Sequence, residues 1–103
     1  MAELLIKGGK VIDGTGNAGY EADVFVKDGK IAKIVKIAKN EKNKTSSSDF
    51  AAAAVQVLDA RGKLVTPGFI NMHSHSDCSV AMYPEMESTL GQGITTEFAG
   101  HCG

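Results

Sequence analysis

Nowhere in this chain of 103 residues does an apolar run approach the ~20 residues of a membrane span, and the opening MAELLIKGGK has no signal-peptide core followed by a cleavage site. Membrane insertion and secretion receive no support, and the chain reads as cytoplasmic. Cysteine is scarce. Cys78 and Cys102 are too few for a disulfide framework, and a ligand or a plain buried thiol suits them better. Charge of one sign is lacking as well: a formal net charge of -1 points to no nucleic acid or other charged partner. The 43% of hydrophobic residues is that of an ordinary globular chain.

What is there is concentrated in Leu64 to Asp77, LVTPGFINMHSHSD, an apolar run that ends in two histidines one residue apart. On a β-strand successive side chains alternate faces, so His73 and His75 would share a face about 7 Å apart along the strand. Both imidazoles could then converge on a metal, and zinc suits neutral imidazole. The competing reading is a pair of hydrogen-bonded surface histidines, made less apt by the apolar lead-in and the Pro67-Gly68 entry.

The residues before this stretch read as β structure. Leu4 to Ile12 is one strand, or two broken at Gly8-Gly9. Gly14-Thr15-Gly16-Asn17-Ala18-Gly19 matches G-x-G-x-x-G, the dinucleotide fingerprint, but Asp23-Val24-Phe25-Val26-Lys27 alternates like a strand a few residues later. That leaves no helix N-terminus for a phosphate, and the segment reads as a glycine loop between strands. Asp28-Gly29, between Val24-Phe25-Val26 and Lys30-Ile31-Ala32-Lys33-Ile34-Val35, predicts a type I′ hairpin. Lysines recur at 27, 30, 33, 36, 39 and 42, and as a helix this segment would be basic and amphipathic. The Asp-Gly turn and β-branched residues favour a strand with a solvated lysine face. Lys39 to Asp49 is a polar loop, Ala51 to Ala54 a possible helical turn, and Val55 to Asp59 and Lys63-Leu64-Val65 further strands.

From Pro67 the pattern changes. Tyr83 to Gly91 reads as a helix with Pro84 at its first position, Glu85 and Glu87 at the positive end of the dipole, and Gly91 or Gly93 at its stop. Ile94 to Phe98 is a β-branched strand. Strand, helix, strand is a βαβ unit, which requires a parallel sheet and a larger partner. Cys102 lies past the second strand as the histidines lie past the first, and in α/β barrels chemistry gathers at those C-terminal ends. A thiolate there would be a strong zinc ligand, whereas a lone cysteine is as readily a buried thiol. Cys78 is the weaker ligand candidate, since a side chain past the strand end must turn back to reach the metal. His101 is read as a loop residue.

These motifs carry a resemblance. GKLVTPGFINMHSHSD, a Pro-led helix, QGITTE and the glycine-flanked cysteine of GHCG resemble the N-terminal part of the amidohydrolase superfamily, in its D-aminoacylase (N-acyl-D-amino-acid deacylase) branch. The opening strand, the VIDGTG loop, the DVFV strand and the DGKI turn fit that branch too, so the likeness spans nearly the whole chain apart from Lys39 to Ala54. The fold implied is mixed: a small, incomplete all-β unit over 1–66, β-sandwich-like, then the first βαβ unit of a truncated (β/α)8 TIM-like metal-dependent hydrolase barrel over 67–103. By resemblance Cys102 is a zinc ligand, and His73 and His75 are the histidine pair of the first barrel strand. The family more often carries asparagine where this chain has His101. The implied reaction is hydrolysis of the amide of a small-molecule N-acyl-D-amino acid, with metal polarising the carbonyl and acidifying water while a carboxylate moves the proton. That carboxylate and further histidines belong to later barrel strands, so no catalytic residue is expected here, the 103-residue polypeptide is expected to be inactive, and no nucleic acid or membrane partner is implied. Two alternatives stand beside it: an amidohydrolase of cyclic amides, dihydroorotase- or hydantoinase-like, and a non-catalytic β-rich binding module.

Overall fold

The computed structural model describes residues 3–37 and 56–101. The expected polar loop at 39–49, the turn at 51–54 and Cys102 lie outside the described residues. The chain divides into two compact units, Met1–Thr66 and Pro67–Gly103.

In the first unit, strands β1 (Leu4–Val11), β2 (Tyr20–Lys27), β3 (Lys30–Lys36), β4 (Gln56–Asp59) and β5 (Leu64–Val65) form one sheet. Its order is β3-β2-β1-β4, with β5 also on β1. β1–β2 and β2–β3 are antiparallel, while β4 and β5 both run parallel to β1. The described residues thus make a single sheet, where a sandwich would need a second. Asp28 and Gly29 at the β2–β3 turn have φ of 52° and 67°, the two positive values that define a type I′ turn. Pairing of Val24 with Ile34 and Phe25 with Lys33 shows that 30–36 is a strand, which removes the basic-helix reading for those residues. The G-x-G-x-x-G segment opens no helix. Asp13 Oδ1 accepts bonds from Thr15 N at 3.0 Å and Thr15 Oγ1 at 2.6 Å, and β2 begins at Tyr20.

Gly8-Gly9 does not break β1; it bulges it. Ile6 pairs with Val24 and Gly9 with Ala22, so β1 carries one extra residue there. Gly8 takes the left-handed conformation at φ 70°, and its N–H donates to Asp23 Oδ1 at 2.8 Å. Asp23 is only 3% exposed, so this bond answers the cost of burying a carboxylate. Val11, Ala22 and Val24 form the core cluster, with Ile6, Tyr20 and Val65 packed against it.

In the second unit β6 (Phe69–Asn71) pairs in parallel with β7 (Ile94–Glu97), and the connection carries two one-turn helices, α1 (Ser76–Ser79) and α2 (Glu87–Leu90). Two expectations need correction. The helix read from Tyr83 to Gly91 is confined to four residues, because Met86 adopts the left-handed conformation (φ 48°, ψ 38°) immediately before Glu87 and ends any helix entering from Pro84. The strand stops at Asn71, so His73 and His75 lie in the turn beyond it. Gly68 lies so close to β7 that a Cβ there would overlap the Thr95 side chain. No described residue from Pro67 onward is fully buried.

Candidate metal centre

The end of β6 and the turn after it are tied to Glu97 and Phe98 by three bonds. Phe98 N donates to Asn71 O at 2.8 Å, Ser74 N donates to Phe98 O at 3.0 Å, and the Ser74 hydroxyl donates to Glu97 Oε2 at 3.1 Å. Ser74 sits between the two histidines.

His73 and His75 therefore converge without strand alternation. Their ring centroids are 5.6 Å apart with planes inclined by 64°. Two imidazoles bound to one tetrahedral ion through bonds of ~2.0–2.1 Å have centroids about 5–6 Å apart. A ligated ion lies in the plane of each ring, and inclined planes share such points. The His73–His75 separation is of that order. His101 is placed differently. It stacks on His73 with centroids 5.1 Å apart and planes 13° from parallel, an arrangement in which the two rings cannot both point at one ion. Reading His101 as a loop residue missed this contact, for which its position beside Cys102 was the available clue.

Cys78 is an exposed free thiol on α1. Among the described residues no group of three or more His, Cys, Asp or Glu side chains is placed to hold a metal ion. Two groups that sequence reading did not single out organise the turn. Asp77 Oδ2 accepts a bond from Gly100 N at 3.2 Å, tying the histidine turn to the loop that leads to Cys102. Glu97, half-buried at the end of β7, faces Ser76, Ser74, Asn71 and Thr89, whose hydrogen bonds hold its carboxyl below the usual range against the opposing effect of burial. The signal for Glu97 was an acid closing the otherwise apolar and hydroxyl-bearing strand Ile94-Thr95-Thr96.

Residues 56–103 match the sequence profile of the amidohydrolase family. The N-acyl-D-aspartate deacylase of Alcaligenes xylosoxydans xylosoxydans is 38% identical over 104 aligned residues, covering 100% of this chain and 18% of that protein. A solved D-aminoacylase, described for the functional role of its binuclear metal centre, superposes with a TM-score of 0.81 at 34% identity over 99% of this chain and 19% of its own. The N-acyl-D-glutamate deacylase of Bordetella bronchiseptica, solved with zinc and a phosphonate mimic of the tetrahedral intermediate, gives a TM-score of 0.78 at 37% identity over 99% and 19%. The chain belongs to the amidohydrolase family. Within it the likeness is to the D-aminoacylases, of whose length the chain spans about a fifth.

Proposed function

We propose that this chain is the N-terminal portion of a zinc-dependent hydrolase that cleaves the amide bond of N-acyl-D-amino acids, acting in the cytoplasm. The observation that carries the reading is the His73–His75 pair, at a separation and tilt suited to one metal ion, at the C-terminal end of a parallel strand pair. In this reading residues 1–66 are part of a β-sandwich-like domain, and 67–103 are the first βαβ unit of a (β/α)8 barrel. The exposure of Phe69, Ile70, Met72 and Leu90 supports it, since a barrel buries such side chains between strands and helices.

The residues that would hold zinc are His73, His75 and Cys102. The chemistry zinc supplies at such a site is Lewis acidity, which polarises an amide carbonyl and acidifies water. His73 and His75 would contribute imidazoles from the turn after β6, and Cys102 a thiolate. Proton transfer to the leaving amine falls to a carboxylate outside these 103 residues, so the 103-residue polypeptide alone is inactive.

The test is hydrolysis by the intact protein of N-acyl-D-aspartate and N-acyl-D-glutamate, set against their L-isomers and against dihydroorotate and hydantoin, together with zinc content. Turnover of the D-substrates, with activity and bound zinc both lost in His73→Ala and His75→Ala, is expected. Turnover of the cyclic amides alone would transfer the chain to the dihydroorotase- or hydantoinase-like alternative. Absence of zinc and of all hydrolysis would leave the binding-module reading.

A further inference from the structure

The carboxylate of Glu97 has no part in the ligand set proposed above, yet its neighbours lie on and around the histidine turn. It accepts the Ser74 hydroxyl at 3.1 Å. Ser74 Oγ lies 2.9 Å from Ser76 Oγ and accepts a weaker bond from Ser76 N at 3.4 Å. Asn71, the residue opposite Glu97 in the parallel register, faces the carboxylate and uses Oδ1 to accept from His73 N at 3.3 Å. Thr89 brings α2 to the same group. One half-buried acid thus gathers the end of β6, the residue between the histidines, the first residue of α1, and α2.

We infer that Glu97 is a positioning residue of the metal centre, acting through Ser74 to hold His73 and His75 at the separation and tilt that one ion requires. The inference rests on the proposed metal-binding role of the two histidines. Turn residues have no ladder of their own to fix their side chains. Here Ser74 is held twice, by its N–H on Phe98 O and by its hydroxyl on Glu97. An ionised carboxylate also makes stronger hydrogen bonds than a neutral acceptor. That is a reason for an acid at this position, where the preceding Ile94, Thr95 and Thr96 are neutral.

The test is cobalt(II) binding to the intact protein, read as affinity by chelator competition and as the visible ligand-field spectrum, with a thermal melt as the check on folding. Supporting contacts around a metal ligand are worth about 10- to 100-fold in affinity. Ser74→Ala and Glu97→Gln should each weaken cobalt binding by about that factor and change the spectrum, with the melt little altered. Ser74→Thr, which keeps the hydroxyl, should bind as the wild type does. The double variant should lose less than the product of the two single losses, because the Ser74–Glu97 bond is already gone in each single. Folded Ser74→Ala and Glu97→Gln proteins with unchanged affinity and spectrum would overturn the assignment while leaving the histidines as ligands. Failure of the wild type to take up cobalt would overturn the ligand reading and this inference with it.

Discussion

Asp59 and Arg61 illustrate how little an exposed pair has to be buried to change its chemistry. The Arg61 guanidinium donates from Nε at 3.0 Å and Nη2 at 2.6 Å, and with the Arg61 backbone N–H it holds the Asp59 carboxyl at about 2, below its ordinary 3.8. A depressed carboxyl stabilises the fold above its unfolded value and loses that contribution as pH falls through its folded one, here between 3.8 and about 2. A carbon-13 titration of Asp59 should therefore show a midpoint near 2, rising toward 3.8 in Arg61→Ala. Both side chains are exposed, so the shift should shrink in high salt and global stability should barely respond. Asp23 is the opposite case. Its buried carboxylate answers the Gly8 N–H, and Asp23→Ala, which orphans that donor, should cost about 1–3 kcal/mol in a urea titration.

At the scale of elements, the strands were legible because their signals are local. Asp28-Gly29 between alternating apolar residues specified a hairpin, and the φ values of both residues explain the choice. Gly29→Ala should destabilise by about 1–2 kcal/mol, since alanine must then occupy the left-handed region. The helices were less legible. Pro84 and Glu85 read as a helix start, but the left-handed conformation of Met86 interrupts them. Strand alternation placed His73 and His75 on one face; the strand ends two residues short of His73, and the imidazoles meet edge to face beyond it. Glu97 and Asp77 escaped notice because their partners lie 23 residues away in sequence. Gly68 was recognised as an entry turn, whereas the structure shows it as a point of contact with Thr95. Gly68→Ala should cost about 1–3 kcal/mol by overpacking, partly recovered in a Gly68→Ala, Thr95→Ala double variant that removes the overlapping Oγ1 and Cγ2.

For the whole molecule, the two units are unequal. Among the described residues the buried hydrophobic ones, Leu5, Val11, Ala22, Val24, Phe25 and Ala60, all lie in Met1–Thr66. In the 103-residue polypeptide, amide hydrogen exchange should be slowest at 22–25 and fast at 69–71 and 94–97, where few apolar contacts oppose local opening; equal protection in both units would contradict this. The sheet order carries a further consequence, for synthesis. β1 is made first and finds β2 within a few residues, but its other edge waits for Gln56–Asp59 and Leu64–Val65. At ribosomal rates of ~5–20 residues per second that edge stays bare for roughly 3–11 s. The nascent chain thus passes through an interval in which an unsatisfied strand is open to other nascent chains, and the bulge at Gly8, by twisting that edge, makes it a poorer template for them.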